Sequence, residues 1–153
     1  MNRRRLIREQ LDVNLRRLSP LRDISYPTKG WIRAIRDALG MTAKQLAHRL
    51  GVAQQAMARI EKAESTGSVT IKTMRRVAER LDCLFVYGLV PNASLEATVR
   101  KQAQQHAARR LAKASQTMAL EDQALSTKEN RKILAAMIDE LVDTTSSDLW
   151  NES

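Results

Sequence analysis

Apolar side chains recur every three or four residues along most of the chain, and this spacing predicts mainly helices. Residues 3–18 carry four large apolar side chains on one helical face: Ile7, Leu11, Leu15 and Leu18. The Ser-Pro pair that follows ends this helix, and Pro27 and Gly30 bracket a loop. The sequence therefore predicts an N-terminal helix and loop over residues 1–30.

Four short helices are predicted in the next fifty residues. The stretch WIRAIRDALG, residues 31–40, has an apolar stripe and ends at a glycine, the residue favoured at helix C-termini. Thr42 can cap a second helix, which ends at Gly51. Helical periodicity resumes in VAQQAMARIEKAE, and Thr70 can cap a fourth helix, IKTMRRVAERLD. Two short helices joined by a tight glycine turn are the skeleton of a helix-turn-helix.

The helical spacing of apolar residues ends after this fourth helix. The stretch CLFVYGLVP is rich in β-branched and aromatic residues and closes with Pro91, so it predicts a short strand near residues 84–90. A single strand is not stable alone, and this implies a partner strand from a second chain or from another segment.

Two more helices are predicted in the last third of the chain. The first follows a cap at Ser94 and continues to about Ala124, with an apolar stripe that has few large side chains and therefore needs a neighbour. The second begins with a capping box, in which Ser126 and Glu129 can satisfy each other's backbone amides.

The tail VDTTSSDLWNES is polar apart from Leu149 and Trp150, a pair that is either folded back on the body or offered to a partner. The fold class predicted from these patterns is mainly α. We expect an N-terminal helix and loop at 1–30, a helix-turn-helix domain at 31–91, and a helical C-terminal extension with an acidic tail at 92–153.

Charge indicates the kind of partner. The 153 residues have 43% apolar content, enough to bury a core, and a formal net charge of +9, which favours nucleic acid first and an anionic membrane second. Residues 1–30 and 31–93 each carry a net +5, whereas residues 94–153 carry −1. The polyanion-facing region is therefore expected in the first two thirds, extended by five basic residues further on: Arg100, Lys101, Arg109, Arg110 and Lys113.

Other patterns exclude whole classes of function. Cys83 is the one cysteine, so no intrachain disulfide or cysteine zinc site is possible and a reducing, cytoplasmic location is expected. No apolar run reaches the roughly 18 residues of a membrane span, and the Arg-rich start lacks the apolar core of a secretory signal.

Catalytic motifs are also missing from the sequence. It contains no P-loop, no HExxH motif and no nucleophile elbow, so we expect neither an enzyme nor a cofactor. His48 and His106 have no companions at metal-ligand spacing and are interpreted as surface or packing residues. RNA binding is disfavoured because the chain has few aromatic residues, five in all, and single strands are usually held by stacking on such residues.

One stretch resembles a known fold family. MTAKQLAHRLGVAQQAMARIEKAE is similar to the lambda-repressor-like, XRE-type helix-turn-helix, with LA on its first helix, the glycine turn, and RIE closing the second. Together with TIKTMRRVAERLDC, YGLVP and SLEATVRKQA, it resembles the mobile mystery protein A family over roughly residues 5–125. The resemblance implies a sequence-specific transcriptional repressor that binds double-stranded operator DNA and autoregulates a mobile-element operon.

The resemblance also implies which residues touch DNA. The second helix, starting near Ala53, would enter the major groove, where glutamine can pair with the N6 and N7 of adenine. Base contacts are implied for three residues: Gln54, Gln55 and Arg59. DNA-backbone contacts are implied for three more: Thr42, Lys44 and Lys62. The chain departs from the family at Ala43, where a glutamine is usual, so one side-chain phosphate contact is missing while the backbone amides remain.

Plainer interpretations stay open for several of these features. The two glutamines are also compatible with an ordinary polar helix surface. Five arginines are either solvated or in contact with phosphates: Arg33, Arg36, Arg75, Arg76 and Arg80. The N-terminal RRR is either a DNA-contacting arm or a solubilising end.

Protein partners are implied as well. One recognition helix contacts only about 4 to 6 base pairs, so a homodimer reading half-sites near 34 Å apart is expected. Family members resemble antitoxins encoded beside a Fic-domain protein, which implies a Fic-domain toxin as partner. Fic enzymes are restrained by a helix with Ser or Thr, three residues, Glu, then Gly or Asn, and Thr117–Asp122 matches except at Asp122. The alternative function is therefore an antitoxin that neutralises such a toxin through its C-terminal helices, with DNA binding secondary.

Overall fold

The computed structural model describes residues 2–120 and 126–151 and is mainly helical, as predicted. The described part contains seven α-helices: α1 Arg3–Arg16, α2 Trp31–Ala38, α3 Ala43–Leu50, α4 Gln54–Thr66, α5 Ile71–Arg80, α6 Leu95–Leu120 and α7 Thr127–Thr144. Short 3₁₀ turns cover Ser19–Asp23 and Ser147–Trp150. Within the described residues, no helix is both long and apolar enough to cross a membrane.

The chain divides into two compact units. We call residues 23–88 the central unit, and residues 1–22 with 89–153 the terminal unit. The central unit therefore contains α2 to α5, and the terminal unit contains α1, α6 and α7.

The strand predicted near residues 84–90 is wrong, because these residues form irregular chain. A strand needs the backbone of a neighbouring strand for its hydrogen bonds, and no other described segment is a strand. Among the β-favouring side chains of this stretch, Phe85 is half-buried and stacks on Tyr87 with ring centroids 6.0 Å apart, while Leu84 and Val86 are exposed.

The core of the central unit joins all four of its helices. Its buried side chains are Ile32, Leu46, Ala47, Leu50, Met57, Val77 and Leu81. Leu46 of α3 and Met57 of α4 are completely buried, so these two helices are fixed against each other by apolar packing. This packing leaves the opposite face of α4 outside the core.

The core of the terminal unit lies between α6 and α7. Ala103 and Ala107 of α6 are fully buried, and their small side chains let α7 pack closely with Ile138 and Val142. The thin stripe predicted on α6 thus has its expected neighbour. Leu149 completes this core.

The Leu-Trp pair of the tail is folded back on the body through Leu149. Leu149 is buried, and its backbone carbonyl accepts a hydrogen bond from Gln102 Nε2 at 2.9 Å. Trp150 is half exposed.

Helix α1 turns a polar face toward the rest of the terminal unit. Arg8 is buried and donates to Glu96 at 2.9 Å and to the Thr145 hydroxyl at 2.8 Å. Asp12 accepts from the backbone amides of Leu95 and Glu96, and so caps α6.

The apolar face predicted on α1 is only partly used in packing. Leu15 and Leu18 are partly buried, whereas Ile7 and Leu11 remain exposed. The buried polar contacts of α1 explain this, since they occupy the side of the helix next to Leu15.

The N-terminal arginines bind the chain's own C-terminal residues. Arg4 donates to the Thr145 carbonyl, and Arg5 pairs with Asp143 at 3.0 Å and with Glu9 at 3.2 Å. These ion pairs and hydrogen bonds raise the pKa of Arg5 above its usual value, with the Glu9 hydrogen bond as the largest cause.

Candidate nucleic-acid interface

Helices α3 and α4 are joined by a tight turn that ends one helix and starts the next. A capping box opens α3: the Thr42 hydroxyl accepts from the Gln45 amide at 3.2 Å, and the Gln45 side chain accepts from the Thr42 amide at 2.8 Å. Gly51 then ends α3 in the left-handed conformation, with φ +74°. Ala53 begins α4 without a side-chain cap, so the first amides of α4 have no side-chain acceptor from that residue.

The three residues expected to touch bases lie at the start and on the outer side of α4. Gln54 and Gln55 are its first two residues, and both are exposed. Neither glutamine side chain has a hydrogen bond to any part of the chain that the structure describes. Arg59 lies four residues after Gln55 on the same side and is also exposed.

The residues expected to touch the DNA backbone lie on both helices. Thr42 and Lys44 are at the N-terminal end of α3, and both are exposed. Lys62 is exposed on α4, one turn beyond Arg59, so the outer side of α4 carries two cations. Lys44 also borders an open hollow together with His48 and Arg49 of α3.

The inner side of α4 is fixed by an ion pair of Arg36, a residue for which the sequence suggested either a solvated or a phosphate-binding side chain. Arg36 is neither solvated nor free to bind phosphate, because its side chain is only 9% exposed and pairs with Glu61 at 2.7 Å. Its second donor reaches the Met41 carbonyl at 2.8 Å. The hydrogen bond with Glu61 is the main cause that raises the pKa of Arg36 above its usual value.

A second inner contact was not predicted at all. The carboxylate of Glu64 in α4 accepts from the amides of Trp31 at 2.7 Å and Ile32 at 3.0 Å, and so caps the N-terminus of α2. Gly30 precedes these amides with φ +86° and approaches the Glu64 carboxylate closely. Glu64 lies more than thirty residues away in sequence from Trp31 and Ile32, so no local pattern could identify this capping contact.

The remaining candidate cations differ in their surroundings. Arg33 lies 3.7 Å from Asp37 on the same helix, and Arg75 lies over the Tyr87 ring at 5.9 Å. Arg76 and Arg80 are exposed on α5. The described residues contain no cluster of His, Cys, Asp and Glu that could hold a metal ion.

Comparison with known families agrees with this geometry. A helix-turn-helix family model matches residues 32–87, which span α2 to α5 and the irregular chain that follows. Neither the search of curated proteins nor the search of solved structures found a match. The matched family is a DNA-binding regulatory domain of the XRE type. The central unit therefore carries a helix-turn-helix for DNA binding, as the lambda-repressor-like resemblance predicted.

Proposed function

We propose that this protein is a sequence-specific transcriptional repressor that reads operator DNA with α4. The observation that carries the proposal is the position of Gln54 and Gln55, which open α4 with exposed side chains that bond to no other described residue. Residues at the N-terminal end of the second helix are the ones that reach base edges in this motif. Two amide side chains at that point are suited to adenine in the major groove.

The rest of the outer side of α4 supplies charge for the same contact. Arg59 follows Gln55 by one turn, where its guanidinium can reach a guanine edge or a phosphate. Lys62 is one turn further and is assigned to a phosphate.

The start of α3 supplies the remaining backbone contacts. Thr42 and Lys44 are exposed beside the first amides of α3, and the positive end of the helix favours an anion there. We therefore assign phosphate binding to Thr42, Lys44 and the backbone amides.

The proposal includes a homodimer, because a single α4 reads too few base pairs to specify one genomic site. Two copies related by a two-fold axis would place their α4 helices in successive turns of the major groove, about 34 Å apart. A palindromic operator is the expected target.

Fluorescence anisotropy with the protein's own upstream DNA and a shuffled control tests the proposal. We expect the operator to bind at least about 10³-fold more tightly than the control, with a steep dependence on salt concentration. Equal and weak binding to both DNAs would show that the positive charge serves another purpose.

Glutamine substitutions then test the base contacts. Gln54→Ala and Gln55→Ala should each weaken operator binding by about 1–3 kcal/mol and leave shuffled DNA nearly unaffected. Gln105→Ala, at an exposed glutamine of α6, is the matched control and should change neither affinity. Equal losses on both DNAs would mean that the glutamine does not read bases.

The resemblance to the mobile mystery protein A family supports a finer proposal. In it, the repressor is the antitoxin-like autoregulator of a mobile-element operon, and its C-terminal helices also neutralise a Fic-domain toxin. The compact packing of α6 and α7 in a unit of its own is compatible with a separate protein-binding role. Thr117 is exposed on α6, while Glu121 and Asp122 lie outside the described residues. Substituting Glu121→Gly and assaying AMP transfer by the Fic partner tests the motif, and unchanged inhibition would exclude it.

A further inference from the structure

The central unit exposes a group of large apolar side chains, none of which belongs to α3 or to α4. We call it the aromatic patch, and it consists of Tyr26, Trp31, Ile71, Leu84, Val86 and Tyr87. These side chains are between 40% and 86% exposed. The patch also includes the half-buried Phe85, so it contains four of the chain's five aromatic residues.

Ring contacts and two hollows join these side chains into one surface. Tyr26 meets Trp31 edge to face with centroids 6.1 Å apart, and Phe85 stacks on Tyr87. Trp31 and Phe85 both line a hollow of about 220 Å³ together with Leu84 and Val86. They also line a second hollow, which Tyr26 and Ile71 border.

The patch is comparable in size with the largest apolar patch on a typical soluble monomer. Its six exposed residues present roughly 700 Å² of accessible surface, backbone and tyrosine hydroxyls included, and the largest apolar patch on a typical monomer covers about 300–600 Å². Tyrosine and tryptophan are also the residue types that concentrate at the centres of protein interfaces.

We propose that the aromatic patch is the surface through which a second copy of this chain binds. Two patches facing each other would remove at most about 1,400 Å² from water, in the lower part of the range of about 1,200–2,000 Å² typical of specific interfaces. A small apolar ligand would cover less of the exposed apolar surface, because it could fill the 220 Å³ hollow and still leave Leu84, Tyr26 and Tyr87 in water.

The position of the patch suits a dimer that reads DNA. Neither hollow is lined by a residue of α3 or of the first two turns of α4, so Gln54 and Gln55 stay free when the patch is covered. The patch also lies in the same compact unit as α4, so contact between two patches would set the distance between two α4 helices. This inference rests on the proposed function, which requires a dimer.

Sedimentation velocity on two matched double variants of the full chain tests the inference. Leu84→Glu with Val86→Glu places charges in the patch, whereas Leu6→Glu with Val13→Glu makes the same changes at exposed positions of α1. We expect the wild type and the α1 variant to be dimers with similar dissociation constants. The patch variant should dissociate at least about 100-fold more readily, as expected for charges at the centre of an interface.

Three outcomes would overturn the inference: a monomeric wild type at all concentrations, equal dissociation constants for the wild type and the patch variant, or equal loss in both variants. Thermal unfolding checks that the patch variant still folds. If its midpoint falls, Tyr26→Glu provides a second test at a loop position that is 68% exposed.

DNA binding separates failure of this inference from failure of the proposed function. The patch variant should bind a single half-site as the wild type does and lose affinity for the full operator. If the wild type and the patch variant are both dimers and operator specificity persists, only the interface assignment fails. If the patch variant is monomeric and no DNA is bound specifically by any form, the interface stands and the repressor proposal fails.

Discussion

Replacing Gly30 with alanine should destabilise the central unit through a contact with α4. A Cβ atom on Gly30 would lie 2.6 Å from the Glu64 Oε2 atom, closer than any van der Waals contact allows. The Glu64 carboxylate is the end of a flexible side chain, so it can rotate away at little steric cost. In doing so, it would give up both hydrogen bonds to the amides of Trp31 and Ile32.

The expected cost has two parts. Loss of a charged cap at the N-terminus of α2 should destabilise by about 2 kcal/mol, since hydrogen bonds to charged groups contribute about 1.5–3 kcal/mol each and water replaces part of them. Gly30 also has φ +86° and ψ +161°, a region that is essentially restricted to glycine and costs another residue about 1–3 kcal/mol. Gly30→Ala should therefore cost about 3–5 kcal/mol in unfolding free energy.

Urea unfolding followed by circular dichroism measures this cost, and Gly67→Ala is the matched control. Gly67 ends α4 with φ +78° and ψ +12°, in the left-handed region, and a Cβ atom there would meet nothing within 4 Å, so Gly67→Ala gives the cost of a positive φ without the loss of a cap. We expect Gly30→Ala to be the more destabilising by at least about 2 kcal/mol. In the Glu64→Ala background this excess should shrink by about 2 kcal/mol, because the cap is already lost and only the backbone difference between the two glycines remains. Equal costs for the two glycine substitutions in the wild-type background would refute the capping role of Glu64.

Three further substitutions test other contacts. Arg36→Met should cost about 3–5 kcal/mol in urea unfolding, because it leaves the Glu61 carboxylate, which is only 12% exposed, without its partner. Met at the exposed Arg33 should cost far less, and similar costs would contradict the ion pair. Arg8→Met should speed amide hydrogen exchange in α6 and α7 and leave α3 and α4 unchanged; equal acceleration in both units would contradict separate stabilisation. Hydrogen bonds from Ser126 lower the pKa of Glu129. The stabilisation that they provide is therefore present above the ordinary pKa of a glutamate and is lost as the pH falls through the lowered pKa. Ser126→Ala should raise the Glu129 pKa in an NMR titration, and an unchanged pKa would exclude the capping box.

The helices could be predicted from the sequence because their signals are local. The capping box between Ser126 and Glu129 spans three residues and is present as expected, with the Glu129 carboxylate 2.9 Å from the Ser126 amide. Apolar periodicity likewise located α3 and α4, and the glycine between them ends α3 as its position indicated. Such features depend on neighbours within one or two helical turns, and these are visible in a single sequence.

The wrong predictions all depended on distant partners. Composition favoured a strand near Leu84, but a strand requires a second backbone that the sequence did not identify. Arg36 looks like any surface arginine until Glu61 is placed beside it. The apolar stripe of α1 suggested a buried face, yet Arg8 and Asp12 provide its contacts with α6.

The same distinction applies to the candidate site and links it to stability. Gln54, Gln55 and Arg59 could be proposed from the sequence because they need only be exposed on the outer side of α4. What keeps that side in place is on the inner side, where Met57 is buried, Glu61 binds α2 through Arg36, and Glu64 caps α2 directly. Two of these three contacts join α4 to α2, so a variant that loosens them should weaken operator binding without touching a base-reading residue. Gly30→Ala should therefore lower operator affinity in anisotropy titrations, even at temperatures where the protein remains folded.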